Sequence, residues 1–461
     1  MSEQEAASSG ESQFTDTGSL RAVLTTRQVS MMGLGGAIGA GLFVGSGAAV
    51  GVAGPAVLIS YILAGVMVVL IMLMLAELVA AYPSSGAFST FAHRAFGRTS
   101  GSTVGWLYWV QLVVVVAAEA TAAGAIVAAA TPGIAQWVWV LIFIVALTTV
   151  NLFGVANYGR FEYWFAFIKV AAIVLFLIVG ALAIFGLLPG VEPVGLSNLV
   201  AHGGFAPNGF VGIAGALLIV MFAFGGTEVV AIAAAESNDP SGNIKRTMRS
   251  VMVRILVFYI GSIFVIVTVL PWNDPSIQEG PFSAVLSVLR IPGVDIAMSA
   301  IVVIALLSAM NANIYGASRM VFSLAEREMA PKLFRSTTSS GVPWIAVTGS
   351  VAFSFVTVVL NMIWPEAVLP ALLNIVGSTL IIVWTSIVIS QIVLRVRAER
   401  EGRNLPVRFP GFPWLSWLTL AMLASTVVLV MFDPAARIQL LATFGLTAAI
   451  ALVSKLALRD R

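Results

Sequence analysis

Runs of about 20 apolar residues recur along nearly the whole chain, and that recurrence limits the fold more than any motif does. A helix of such length crosses the hydrocarbon of a bilayer, where the backbone must satisfy its own hydrogen bonds. Twelve runs can be placed, at about 28–52, 55–81, 101–130, 136–154, 162–187, 209–236, 250–271, 294–325, 343–363, 367–394, 413–432 and 436–457. Turn residues separate them, as at Gly54-Pro55, Pro83 to Gly86, Thr131-Pro132-Gly133, Pro240-Ser241-Gly242, Pro292-Gly293, Gly341 to Pro343 and Gly411 to Pro413. Only 10% of the residues are charged and 59% are hydrophobic, whereas about a quarter of a soluble chain is charged. The chain reads as an all-α polytopic membrane protein.

Orientation follows from lysine and arginine placement. With the N-terminus inside, 21 of the 24 basic residues fall in cytoplasmic segments, Arg290 and Arg437 fall outside, and Lys169 lies within a span. A wrong span count would invert half the loops and destroy that bias, so both termini are expected in the cytoplasm. The net charge of +3 is a consequence of topology and does not point to nucleic acid. Residues 1–27 are expected to form a disordered cytoplasmic tail without a cleavable signal peptide. The absence of cysteine excludes disulfides, thiol nucleophiles and thiolate metal sites. His93 and His202 both fall in predicted loops, which leaves little for a metal site, and no cofactor or catalytic residue is indicated.

Within the first span, Gly33 to Gly47 holds seven glycines in fifteen positions and no charge. Two readings of this stretch are open. It is a broken helix whose exposed backbone holds a ligand's charged ends, or it is a small-residue face for close helix packing. The sixth span carries a second interruption, Met221-Phe222-Ala223-Phe224-Gly225-Gly226-Thr227-Glu228. These two spans are five apart, and an odd offset reverses the chain's direction, so two five-helix units would be related by inversion. Corresponding broken helices in inverted halves point to a transporter's binding site. N–H groups beside Gly39–Gly41 would face a carboxylate, and carbonyls around Phe222–Phe224 an ammonium. A zwitterion suits that pairing.

Each ionisable residue at membrane depth requires a reason, because its insertion costs at least about 2.5–3.5 kcal/mol. Lys169, flanked by Ile168 and Val170, is either a proton carrier or a lysine that snorkels or pairs structurally. Glu119 lies deep in the third span and belongs to the substrate or proton path or to a structural pair. Glu228 directly follows the sixth-span break and either touches the site or fixes the unwound segment. Glu77 and Glu236, near cytoplasmic ends, are expected to pair with loop arginines such as Arg160 or Arg254, as a possible inner gate. Trp106, Tyr108 and Trp109 are read as an interfacial belt. Phe43, Phe222 and Phe224 flank the breaks and are the aromatics expected to face a substrate.

The chain resembles the amino acid transporter family of the amino acid–polyamine–organocation superfamily. The resemblance rests on Gly35-Gly36-Ala37-Ile38-Gly39-Ala40-Gly41-Leu42-Phe43, on Ala76-Glu77-Leu78, and on Tyr82-Pro83 through Phe88. Phe222 through Glu228 with Ala235-Glu236, Asn311 through Tyr315, Ser318-Arg319-Met320 and Ala330-Pro331 continue it in order. Within the family, Gly105 through Trp109, Asn208-Gly209-Phe210, Ile232 through Ser237 and Pro271-Trp272-Asn273 look most like bacterial 4-aminobutyrate permeases. That likeness covers scaffold positions more than pocket positions, and Gly41 stands where a serine is usual in the subgroup, which keeps α-amino acids in contention.

The resemblance implies a LeuT-like fold of five-plus-five inverted repeats, about 28–187 and 209–394, with two additional helices at about 413–457. It also implies proton-driven uptake by alternating access across the bacterial cytoplasmic membrane, with an amino acid and a proton as partners within membrane lipid. By motif position Ile38, Gly39, Ala40 and Gly41 and Phe222, Ala223, Phe224, Gly225 and Gly226 would hold the substrate. Lys169, Glu119 and Glu228 would be the proton-coupling candidates, Lys169 matching a fifth-helix lysine thought to replace a sodium ion. Exchange on the same fold and sensing without transport are the rival readings. A membrane enzyme lacks cysteine, intramembrane histidine and a metal cluster. An ATP-driven pump lacks its phosphate loop, since none of the four lysines follows a glycine.

Overall fold

A computed structural model describes residues 37–84, 86–153, 155–188, 193–228, 244–288 and 293–459. The tail 1–27, the glycines from Gly33 to Gly36, and Ala235-Glu236 lie outside them. The regular elements among the described residues are all helices, and each of the twelve predicted runs contains one. Seven helical stretches are long and apolar enough to cross a membrane, and four more apolar helices are shorter. The longest, Gly45–Ala81, is a bent pair: Gly54 adopts φ +64, open to a residue without Cβ, and Pro55 then begins a new helix.

The third-span helix, Arg98–Ala130, is the inner post of the bundle. It packs most extensively on the eighth-span helix, Val294–Glu326, and also touches the fourth, ninth and tenth spans. Its small residues Ala117, Ala118, Ala120, Thr121, Ala122 and Ala123 are buried and let neighbouring backbones come close, which in lipid substitutes for a hydrophobic driving force. Of its most apolar window 67% is buried, against 17% for the last helix, whose outward face is left to lipid.

Several sequence expectations change here. Residues 87–96, read as loop, form a helix, Ala87–Phe96, whose Phe88, Phe91 and Ala92 face inward, so His93 sits on a helix. The tenth-span helix runs from Pro365 to Arg400, six residues past its expected end, because Arg395, Arg397 and Arg400 continue the helical hydrogen bonding. Arg395 is thereby carried into the packed interior. Glu77 pairs with this helix-borne arginine at 2.6 Å, while the side chains of Arg160 and Arg254, the partners expected from sequence, lie outside the description. Its carboxylate also accepts from Gln391 Nε2 at 2.9 Å and from the Phe409 amide. Gln391 Oε1 in turn accepts the Ser416 hydroxyl, so this knot joins the second, tenth and eleventh spans.

The three-residue aromatic belt also dissolves. Tyr108 is fully buried with its ring edge-on to Phe88 at 4.6 Å. Trp106 donates to the Met329 carbonyl and Trp109 to Ser350 Oγ, so these indoles hold the third span to neighbouring elements.

Candidate functional site

Both interruptions are real breaks. In the first span the backbone bends at Ile38 and Gly39, and helix resumes at Ala40. The sixth-span helix, Gly209–Phe224, stops where Gly225 turns extended, and Gly226 takes φ +90, a conformation that favours glycine. The breaks face each other. A Cβ on Gly41 would collide with Ala223 Cα, so the two spans touch backbone to backbone. A serine at position 41 would not fit this contact.

Polar groups freed by the first break have partners from other spans. The Ala40 amide donates to both carboxylate oxygens of Glu119, at 3.0 Å each. Glu119 is 3% exposed, and a Cβ on Gly39 would collide with it. Lys169 is fully buried and close enough for its charge to act on Glu119. On the other side of the break, Tyr259 donates its hydroxyl to the Ala37 carbonyl at 2.6 Å. The Tyr259 ring stacks on Phe224 at 5.0 Å, so one seventh-span residue braces both breaks. Tyr259 was not singled out from sequence, although a tyrosine hydroxyl at membrane depth requires a partner and was a usable signal.

At the second break, the carbonyls of Met221 and Phe222 both accept from the Gly225 amide. Glu228 accepts from the Gly226 amide at 3.1 Å, from Thr227 Oγ1 at 3.4 Å and from Gln111 Nε2 at 3.3 Å. Its carboxylate thereby supports the unwound turn.

A cavity lies between the breaks. Gly41, Phe222, Gly225, Gly226 and Glu119 of the predicted set stand on its wall, together with Gln111, Val115, Asn313 and Val376, which sequence reasoning missed. Ile38, Ala223 and Phe224 are instead packed into the core, and Phe43 sits further out. The cavity measures about 10 Å³, room for one water molecule. Towards the expected outer side, Phe282 packs on Phe43 at 4.8 Å and on Phe176 at 4.6 Å. Its short helix, Pro281–Val288, follows Pro275–Glu279, whose Ile277 carbonyl rests against Gly47. An aromatic plug thus seals that face. Among the described residues the arrangement offers a backbone donor for an anion, flanking carboxylates and a buried lysine.

Three relatives match over nearly their full length. "Aromatic amino acid transport protein AroP" of Corynebacterium glutamicum is 49% identical over 90% of this chain and 90% of its own. "Probable GABA permease" of Pseudomonas aeruginosa is 45% identical, covering 93% and 91%. "Gamma-aminobutyric acid permease" of Escherichia coli strain K12 is 42% identical, covering 91% and 90%. The family model described as "Amino acid permease" matches residues 28–459. This multi-pass membrane protein, a transporter and not an enzyme, belongs to the amino acid permease family.

Proposed function

We propose that the chain takes up a zwitterionic amino acid, 4-aminobutyrate or a close relative, by proton-coupled alternating access across the bacterial cytoplasmic membrane. The observation that carries this reading is the Glu119 carboxylate on the Ala40 amide. The donor expected to hold a substrate carboxylate already holds a carboxylate of the protein. One N–H cannot serve two anions, so an arriving substrate requires Glu119 to withdraw. Protonation of Glu119 removes the competing charge, and this ties proton uptake to substrate binding. Lys169, within electrostatic reach, is the second coupling group, and Glu228 acts by holding the sixth-span turn.

In this reading Ile38 to Gly41 hold the substrate carboxylate and Phe222 to Gly226 receive its ammonium. Two inverted units, about 28–187 and 209–394, rock about this site, with the helices of 413–457 outside them and both termini cytoplasmic. The closed cavity and the aromatic plug fit an occluded stage of such a cycle. The names of the Pseudomonas and Escherichia coli relatives support 4-aminobutyrate as that substrate. The Corynebacterium relative's name supports a second reading, an aromatic α-amino acid on the same site.

Uptake into proteoliposomes under an imposed proton or sodium gradient tests both. Concentrative 4-aminobutyrate uptake driven by protons alone is expected. Proton-driven uptake of phenylalanine or tyrosine instead would transfer the reading to the aromatic substrates. Exchange without gradient-driven accumulation would overturn proton coupling.

A further inference from the structure

Gln111 is 1% exposed and stands on the cavity wall, yet its carbonyl oxygen has no hydrogen-bond partner. The amide cannot be turned to relieve this. Its Nε2 donates to Glu228, which only accepts while its carboxylate is ionised, and in that state Oε1 is held as the unfilled acceptor. An acceptor buried without a partner costs about 1–3 kcal/mol, and this one belongs to a residue on the cavity wall, where a water or a ligand group can fill it.

The surroundings favour a cation as that partner. Glu228 polarises the amide and strengthens Oε1 as an acceptor. The Phe222 ring shares the wall, and the wall residues among those described include Glu119 but no lysine or arginine. Position also matters. Gln111, Val115 and Glu119 follow one another at four-residue intervals along one face of the third-span helix, so Gln111 lies about 12 Å along the axis from the residue marking the carboxylate position. A ligand reaching from the Ala40 amide toward Gln111 needs several bonds between its charges. An α-amino acid has two bonds between nitrogen and carboxyl carbon, and 4-aminobutyrate has four.

We infer that Gln111 is a specificity-determining residue whose Oε1 accepts the ammonium of an ω-amino acid, and that it favours a long zwitterion over an α-amino acid. The inference rests on the proposed transport site and adds to it the group that measures substrate length. Lengthening the charge separation is what the third-span helix rewards, through one side chain at each end of a two-turn stripe.

Competition binding to the purified full-length protein in nanodiscs tests this, with 4-aminobutyrate, butyrate and 4-(trimethylammonio)butyrate as probes. The last keeps the positive charge but has no N–H to donate. In the wild-type protein, 4-aminobutyrate is expected to bind roughly ten-fold or more tightly than the trimethylated probe, the span of a hydrogen bond to a charged group. Gln111→Met should collapse that ratio toward one while leaving butyrate affinity unchanged, the pattern of a direct interaction in a double-mutant cycle. Equal weakening of all three probes, or an unchanged ratio, would overturn the assignment. The wild-type comparison stands if the variant fails to fold: a trimethylated probe that binds as well as 4-aminobutyrate also overturns it. Tight binding of α-amino acids with none of 4-aminobutyrate would refute the role of Gln111 while sparing the transport site. Binding of no zwitterion at all would remove the transport reading itself.

Discussion

Glu77 and Glu119 are both carboxylates taken out of water, at 2% and 3% exposure, yet they are held in opposite ways. Glu77 has a full set of partners: the Arg395 guanidinium, the Gln391 amide and the Phe409 backbone. Arg395 is itself shared with Glu399 at 2.7 Å. Among the described residues Glu119 accepts from a single backbone amide, within the field of Lys169. The first arrangement leaves its carboxylate no alternative partner, whereas in the proposed cycle the second is exchanged for an incoming anion. The same costly residue type serves as a fastener at one depth of the bundle and as a replaceable occupant at another.

The contrast can be broken at four points, in falling order of expected effect. Glu77→Ala leaves Arg395 only its pair with Glu399 and strips the Gln391 amide and the Phe409 N–H of their acceptor, and should destabilise the protein by about 3 kcal/mol, read as a large loss of thermal stability in detergent. A variant of near wild-type stability would show that the knot is not a fastener. Gly39→Ala pushes a methyl group into the Glu119 carboxylate. Freeing the Ala40 amide from its competing carboxylate should strengthen substrate binding by up to about ten-fold while the Glu77 knot stays intact, measured by competition binding. Ser416→Ala removes one peripheral bond of the knot, to Gln391, and should cost about 1 kcal/mol in thermal unfolding with transport retained. Glu119→Gln still accepts the Ala40 N–H and should change stability by less than about 1 kcal/mol. Proteoliposomes carrying it should exchange substrate yet fail to accumulate it under a proton gradient. Full accumulation would end its role in coupling.

The helical plan was legible because lipid leaves few alternatives: a helix lies in each of the twelve runs marked by apolar length and the turn residues between them. The breaks were legible as one of two readings, since a glycine cluster at Gly39–Gly41 marks either an unwound turn or close packing, and the structure shows both there. Partners were not. Nothing in the spacing of Glu119 says that it reaches Ala40, 79 positions away, and nothing in the loops says that Arg395 is carried inward by an extended helix. Tyr108 looked like a belt residue because its neighbours are tryptophans, whereas helix rotation, set by packing against Phe88, decides which of the three faces inward. Gln111 carries no local signal, because a glutamine within an apolar run becomes informative only once its neighbours are known.

The size of the cavity has a consequence for inhibitor kinetics. A chamber that admits one water cannot be entered by an amino acid analogue in this shape, so association must wait for the plug of Phe43, Phe176 and Phe282 to part, or for the opposite side to open. Apparent affinity is then the intrinsic affinity reduced by the fraction of open molecules. Compounds that wedge beside Phe282 and hold the chamber open would gain in residence time what they lack in resemblance to the substrate, and potency would follow bulk more closely than mimicry.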